Sequence, residues 1–536
     1  MIDEAHLTAE VSNNPYASGE LFIPEQIVAG QNTYTVVGIN DKAFKGCKNL
    51  TAIVLPKTLE RVARSAFDGT GIMLNKANWN EGCLWIDSIL IATDKNIKPR
   101  FVVPESARLI AAGAFQGNKI ITRVDLPNGI KRIDHDTFRD CKNLQKVVIP
   151  ASVTSIGEDV FTGSGIYANE NKWKKGALII DDCLITTNND LPAKYIFKNK
   201  LPIRLIAEKA FANRKNLKSV TIPSSVSAIP ASAFMHCENL TEVTLPTSVH
   251  EIGKFAFYEC GALRTIQLHA DIESIGAGAF YNCSNLPDQV LSDKIQIIER
   301  ATFVQCRNIK HISLPSQLKR IEDGAFAYCS GLESIELPAS LTHIGEQAFT
   351  NCITLRKIVI PEGVTSLSKQ VFQGCTRLYK VELPESIYAI GDEALSGCLA
   401  LEKINIPKYT FRIGVRAFYN CQQLRGIMLV DHIQLIDEGA FMDCKMLEEV
   451  TLPEMLKRIY RGTFAQCINL QKVKFNKHLK RIDDGAFCNC RSLREVQWND
   501  SLQSIGTEAF LDCKYLRTPH FTQDVEVGKN AFKGCK

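Results

Sequence analysis

A phenylalanine recurs every 23 residues through most of the chain, and a cysteine usually follows it three residues later. From Phe211 to Phe510 this spacing never slips, although Leu395 takes the place of the aromatic residue once. Two longer steps, over 67–115 and 161–211, interrupt the series. A short fixed period of this kind indicates that one small structural unit is stacked many times. The series has about twenty members and leaves little sequence for any other kind of domain.

Residues 237–260 show what one unit contains. Val243 and Leu245 alternate with a polar residue, which is typical of a short strand with one buried face. The proline that follows ends the strand, because proline has no N–H to donate. After a bend, residues 254–259 are predicted to make one helical turn that buries Phe257. Each unit is therefore predicted to be one coil of a solenoid, whose apolar side chains are covered only when neighbouring coils stack on it.

Most of the nineteen cysteines occupy one repeat position, and the exceptions are Cys83, Cys183 and Cys488. There is no Cys-x-x-Cys pair, so a structural zinc site is not expected. Cysteines on successive coils would lie about 4.8 Å apart, whereas the Cβ atoms of a disulfide lie about 3.8 Å apart. The spacing therefore predicts small buried thiols that fill a narrow interior.

Composition excludes several classes of protein. A net charge of +5 on 536 residues argues against the strongly basic face of a nucleic-acid-binding protein. No apolar run is long enough for a transmembrane helix. The first residues, MIDEAHLTAEVSNN, have neither the basic nor the apolar region of an export signal. The chain is therefore expected in the cytoplasm if the sequence is complete.

Catalytic chemistry has no recognisable motif in this sequence. The nucleophile elbow G-x-S-x-G, the P-loop and the zinc motif H-E-x-x-H are all absent. We therefore predict no catalytic residues, no cofactor and no metal. A hydrolase hidden in the extra residues of the two longer steps would depend on Asp181 and Asp182, which are better explained as turn residues.

The repeat resembles a known family. Its clearest copies are LESIELPASLTHIGEQAFTNC at 332–352 and LTEVTLPTSVHEIGKFAFYEC at 240–260, and the segment 19–44 is similar to that family's first strands. The two longer steps carry matching insertions, with 69–94 alignable on 163–188. On these motifs the chain is identified as a member of the BspA-like leucine-rich repeat family.

The resemblance implies a right-handed leucine-rich-repeat arc with one long parallel β-sheet on its concave face. Short strands, turns and single helical turns would form the rest of each coil. We predict an N-terminal β cap over 1–43 and about twenty coils over 44–536, with insertions at about 68–114 and 162–210.

The resemblance also implies a non-enzymatic binding or adhesion protein at a cell surface or secreted from a cell. Its partners would be proteins, including host extracellular-matrix or surface proteins, or glycans. The alternative is an intracellular repeat scaffold for protein–protein interaction. An upstream signal peptide would favour adhesion, whereas cytoplasmic location with free thiols would favour the scaffold.

The outward positions beside each short strand are the candidate binding residues, because the inward positions are needed for the core. One outward column carries Lys357, Lys380 and Lys403 on three consecutive coils, about 5 Å apart. The neighbouring column carries Glu336 and Glu382. These five residues predict a local docking patch for an anionic ligand. The alternative interpretation is a solvated column with a chance run of lysines.

Overall fold

The computed structural model describes residues 1–3, 6–197, 202–521 and 524–536. The chain divides into two compact units, Met1–Cys237 and Glu238–Lys536. Both units are built from coils whose short strands pair in parallel with the equivalent strands of the next coil. The structure therefore confirms the predicted leucine-rich-repeat solenoid of stacked parallel coils, and it contains very little helix.

Most coils contribute one short strand to a first column, which in the regular coils begins a few residues after the recurring cysteine. In the first unit these strands are Gly19–Phe22, Leu50–Val54, Arg100–Val102, Arg123–Asp125, Lys146–Val148, Lys194–Ile196 and Ser219–Thr221. In the second unit they are Glu242–Thr244, Gln289–Val290, His311–Ser313, Ser334–Ile335, Lys357–Val359, Lys380–Glu382, Glu449–Thr451, Lys472–Lys474 and Glu495–Gln497. The column is a series of two- and three-stranded sheets and not one continuous sheet.

A second strand column, predicted only among the short strands and turns of each coil, is as regular as the first. In the first unit it comprises Asn32–Ile39, Arg61–Val62, Leu109–Ile110, Arg132–Ile133, Ser155–Ile156, Leu205–Ile206 and Ala228–Ile229. In the second unit it comprises Glu251–Ile252, Ser274–Ile275, Ile297–Ile298, Arg320–Ile321, His343–Ile344, Ser366–Leu367, Ala389–Ile390, Arg412–Ile413, Leu435–Ile436, Arg458–Ile459, Arg481–Ile482, Ser504–Ile505 and Glu526–Val527.

The third side of each coil is a run of turns, not the helical turn predicted over 254–259. The N–H groups of Phe255, Phe257 and Glu259 donate to carbonyls 22 residues later, at 2.9, 2.8 and 2.8 Å. Phe255 and Glu259 have left-handed φ angles of 57° and 58°. With two left-handed residues four positions apart, every second N–H of this segment donates to the next coil. A regular helix cannot do this, because its N–H groups bond within the helix.

The recurring phenylalanines form buried stacks on this third side. Phe303, Phe326 and Phe349 are fully buried, and their ring centroids lie 5.5 and 5.4 Å apart in nearly parallel planes. The cysteines three residues later are free thiols, and all of them except Cys535 are buried. The predicted assignment of phenylalanine and cysteine to the interior is confirmed.

The two insertions, whose sequences match, each contain a β-hairpin. Cys83–Ile86 pairs antiparallel with Ile89–Thr93, and Ala177–Ile180 pairs antiparallel with Cys183–Thr187. The second strand of each hairpin then pairs in parallel with the next strand of the second column. Leu84, Leu90 and Ile91 are fully buried. The hairpins therefore extend the core between coils.

The remaining elements lie in the insertions and near the N-terminus. The α-helices are Gly71–Leu74 and Gly165–Ala168, and the 3-10 helices are Arg64–Phe67, Lys76–Asn78 and Glu170–Lys172. The remaining strands are Ile2–Asp3, Thr8–Val11, Gln26–Ala29, Trp79–Asn80 and Trp173–Lys174. The boundary predicted between a cap and the repeats at 43/44 stays a prediction.

An arginine joins each hairpin to the coil before it. The guanidinium of Arg108 donates to the carbonyl oxygens of Pro56, Lys57 and Leu59 at 3.2, 3.1 and 2.9 Å. Its counterpart Arg204 donates to Pro150 O at 3.0 Å and also to Val153 O. Each arginine therefore supplies hydrogen-bond donors to carbonyls of the coil that precedes the insertion.

Candidate binding surface

The five candidate residues lie on the outward side of the first column in the second unit, and we call them the lysine face (Glu336, Lys357, Lys380, Glu382 and Lys403). Lys357 is paired in register with Lys380, and Lys380 forms a β-bridge with Lys403. Their neighbours along the strands, Ile358 and Val381, are 1% and 4% exposed. Because successive strand residues point to opposite faces, burial of these apolar residues turns the lysines to solvent.

Glu382 connects two of the three lysines. Its Oε1 lies 3.0 Å from Lys357 Nζ and 2.8 Å from Lys380 Nζ. The hydrogen bonds from Lys380 and from Lys357 lower the pKa of the Glu382 carboxyl. The same contact raises the pKa of Lys380. A carboxylate of the same chain therefore compensates the like charges of Lys357 and Lys380 on adjacent coils.

Lys403 and Glu336 lie at the two ends of this group. Both side chains are exposed, and within the described ranges neither forms an ion pair. The structure thus brings Lys357, Lys380 and Glu382 into one cluster and leaves Lys403 and Glu336 with unneutralised charges. The lysine face therefore presents mixed charge, with one cation and one anion available to a ligand.

Exposed apolar side chains surround the lysine face. Val359 and Met428, at outward positions of the same column as Glu382, are 46% and 79% exposed. Tyr379, beside Lys380, is 49% exposed and was not singled out from the sequence. The sequence feature that could have identified Tyr379 is an aromatic residue at an outward position where the neighbouring coils carry Arg356 and Glu402.

Other candidate sites carry less chemistry. Tyr258 and Tyr281 stack with centroids 4.7 Å apart on the turn side of the second unit. Among the residues that the structure describes, no three His, Cys, Asp or Glu side chains are grouped to hold a metal ion. None of the helices described is both long and apolar enough to cross a membrane.

Comparison with known proteins agrees with this architecture. The family described as "BspA type Leucine rich repeat region (6 copies)" matches residues 31–117, 93–172, 204–330, 296–425 and 412–536. None of the curated proteins compared with the chain matches it.

Similar solved structures include three bacterial leucine-rich repeat proteins. A leucine-rich repeat protein from Bacteroides ovatus is 22% identical, with 88% of this chain and 92% of that chain covered and a TM-score of 0.36. A leucine rich cell surface protein from Faecalibacterium prausnitzii is 16% identical, with 98% and 92% covered and a TM-score of 0.33. A leucine-rich repeat protein from Eubacterium ventriosum is 21% identical, with 60% and 84% covered and a TM-score of 0.38.

The family match runs through most of the sequence and coincides with the stacked coils seen in both units. The chain belongs to the BspA-type leucine-rich repeat family.

Proposed function

We propose that this protein is a non-enzymatic adhesion or binding protein that acts at a cell surface or after secretion. It recognises proteins, such as host extracellular-matrix or surface proteins, or glycans, through the outward side chains of its coils. The location follows from the resemblance to BspA-like proteins. The resemblance and the solenoid architecture both favour binding over catalysis.

One observation carries the proposal, namely the contrast between the two sides of each first-column strand. Inward residues such as Ile358 and Val381 repeat the same apolar type and are buried. Outward residues change from coil to coil, as Val359, Glu382 and Met428 do at one position. Repeat proteins of this kind keep the core constant and vary the surface that contacts a partner.

The lysine face is the proposed contact for an acidic partner. Lys403 is available at once, whereas Lys357 and Lys380 must exchange Glu382 for a carboxylate of the partner. Such an exchange conserves the number of ion pairs, so electrostatic complementarity would act mainly on specificity and on the association rate. The neighbouring Val359 and Met428 supply the apolar area that stabilises the complex.

The experiment is a binding screen with the intact chain against purified extracellular-matrix proteins and a glycan array. We expect saturable binding to at least one acidic protein, weakened about tenfold or more by Lys357→Glu, Lys380→Glu and Lys403→Glu together. A control with the same net charge change is Lys319→Glu, Lys369→Glu and Lys514→Glu, which lies off the lysine face. Equal binding by both variants would exclude the lysine face, and absence of saturable binding would exclude adhesion to these ligands.

A second candidate function is the intracellular scaffold. It is favoured by the nineteen free cysteines, since free thiols persist in reducing compartments. Fractionation of the source cells separates the two functions: recovery of the protein in the cytoplasm, with its thiols still reduced, would support the scaffold.

A further inference from the structure

Large apolar side chains are exposed at the bend between the first and second strand columns of the second unit. Tyr388, Tyr409, Phe411 and Met455 are 47%, 59%, 42% and 52% exposed, and His432 lies exposed among their positions. These five residues, which we call the aromatic corner, come from four consecutive coils.

This corner departs from a pattern that several other coils follow. At the position nine residues before the recurring aromatic residue, several coils carry Ser or Thr, whose hydroxyl donates to a carbonyl 22 residues earlier. These residues are Thr58, Ser152, Ser225, Ser340 and Ser386. In the next three coils the position is occupied by Tyr409, His432 and Met455.

The chain compensates for this loss only in part. Thr410 donates to Ile387 O at 3.0 Å and so replaces the hydroxyl missing at Tyr409. Ile433 and Leu456, at the equivalent positions of the next two coils, have no hydroxyl to donate. A large exposed side chain thus takes this position in three consecutive coils, and in the last two of them no hydroxyl at Ile433 or Leu456 replaces the missing donor. Local departures of this kind are expected at functional sites.

Four of these rings pack against one another in two pairs. Tyr388 and Phe411 stack with parallel planes and centroids 5.8 Å apart, and Tyr409 packs edge-on with His432 at 5.7 Å. Because stacking covers one face of Tyr388 and one face of Phe411, less ring face is free for a sugar to stack on. Exposed ring edges and a flexible methionine instead suit the side chains of a protein.

The apolar area is sufficient for a modest interface. Each aromatic side chain has about 200 Å² of surface, so these half-exposed side chains present roughly 400 Å² together. An apolar patch of this size is comparable to the largest patch on a typical folded protein, which is often functional.

The surrounding charges indicate the kind of partner. Glu385, Asp431 and Glu454 are exposed at the positions that directly precede Ser386, His432 and Met455, and in the described part of the chain they form no ion pair. The ammonium of Lys408 lies 5.4 Å from the centre of the Tyr409 ring. The corner therefore already holds one cation of its own chain against an aromatic ring, a contact that is favourable for ammonium and guanidinium groups.

We infer that the aromatic corner is a docking surface for a segment of a partner protein that combines apolar side chains with Arg or Lys. Its apolar residues cover the edges of Tyr388, Phe411 and Met455, and its cation sits between Tyr409 and the row of carboxylates. The corner lies at a different edge of the coils from the lysine face, and the inference does not depend on that face.

The test uses the intact chain and a phage-displayed library of short random peptides, followed by fluorescence polarisation of the selected peptides. The first variant, Tyr388→Thr with Tyr409→Ser and Phe411→Thr, introduces the residue types found at these positions in neighbouring coils. The second, Glu385→Gln with Asp431→Asn and Glu454→Gln, keeps the hydrogen-bond acceptors and removes the charge. Tyr328→Asn is the control, since it also removes an exposed tyrosine at a position where other coils carry Asn351 and Asn420.

We expect peptides rich in Arg or Lys and in apolar residues. The aromatic variant should weaken their binding about tenfold or more, and the carboxylate variant should weaken it and reduce its dependence on salt. The control should bind as the wild type does. Acidic peptides, peptides that bind the aromatic variant equally well, or no selected peptide at all would overturn the inference. Glycan binding or self-association that is lost in the aromatic variant would overturn it in favour of those occupants.

Discussion

The Sγ of Cys352 donates a hydrogen bond to the main-chain oxygen of Phe326, 26 residues earlier, at 3.2 Å. The same contact recurs along both units, including Cys141 to Phe115 at 2.9 Å and Cys467 to Phe441 at 3.2 Å. Each thiol thus ties one coil to the coil before it. A serine would be more polar and an alanine would have no donor, so cysteine suits a narrow apolar interior that contains a carbonyl.

Burial of the cysteine thiols makes the stability of the protein sensitive to alkaline pH. Burial raises the pKa of Cys329, Cys375 and Cys421 from 9.0 to about 12. The unfolded chain releases these protons first, so the stabilising contribution is complete below about pH 9 and is lost as pH rises toward about 12. We expect the free energy of unfolding, measured by urea titration, to fall steeply over this range.

The matched control replaces the same three cysteines by alanine. This variant should be less stable at neutral pH and should lose less stability between the two pH values, because fewer thiols titrate. An equal loss in the variant and the wild type would mean that lysine, tyrosine or backbone effects cause the alkaline unfolding.

The sequence predicted the stacked architecture because the core residues are nearly the same in every coil, so Phe257 or Cys352 is recognised by its place in the period. It could not predict the turns on the third side of each coil. Phe255 and Tyr328 have left-handed φ angles there, although no glycine at these positions indicates such a conformation. Hydrogen bonds between coils impose that backbone, and a single coil read alone does not contain them. The roles of Arg108 and Arg204 were not predicted for the same reason, because the carbonyls to which they donate lie about 50 residues earlier.

The candidate surface was predicted from the outward positions of two neighbouring columns, without the contacts between its side chains. The spacing placed Lys357, Lys380 and Lys403 side by side, as the strand register then showed. The choice of Glu382 as the shared partner of two lysines depends on side-chain conformations, which periodicity does not determine. The aromatic corner was missed because its residues stand at positions whose residue type varies from coil to coil.

Replacement of a strained residue should stabilise the protein. Tyr328 has a φ of 61° and is 48% exposed, and asparagine tolerates this conformation better than tyrosine does. We expect Tyr328→Asn to raise the free energy of unfolding by about 0.5–1 kcal/mol. Tyr379→Asn, at an exposed position without a left-handed backbone, should bring no gain, and an equal gain there would point to a cause other than backbone strain.

The arginine that holds the first insertion should contribute strongly to stability. Arg108→Ala leaves the carbonyls of Pro56, Lys57 and Leu59 without their donor. We expect a loss of about 2–4 kcal/mol in chemical denaturation, because a charged donor to partly buried acceptors is removed. Arg100→Ala, an exposed arginine nearby, should cost little. Similar losses in the two variants would contradict the role assigned to Arg108.

The link between Lys357, Lys380 and Glu382 can be measured directly by NMR titration of the Glu382 carboxyl. Its pKa should lie below the ordinary value of about 4.3 for glutamate, because both lysines donate to the charged form. The contribution of this contact to stability is therefore present above that ordinary pKa and is lost as pH falls through the lowered one. Lys380→Met should raise the pKa, whereas Lys319→Met, on a distant coil, should leave it unchanged. An ordinary pKa in the wild type would show that the cluster does not persist in solution.

The central claim is that partners contact the outward side chains while the phenylalanine and cysteine columns serve only the architecture. The most direct measurement compares two variants for affinity toward the strongest binder of the matrix-protein and glycan screen and for melting temperature. Lys357→Glu with Lys380→Glu and Lys403→Glu should weaken binding about tenfold or more at an unchanged melting temperature. Phe349→Leu, which introduces the residue found at Leu395, should lower the melting temperature and leave the affinity of the folded protein intact. Undiminished binding by the lysine variant, together with lost binding by folded Phe349→Leu, would contradict the account.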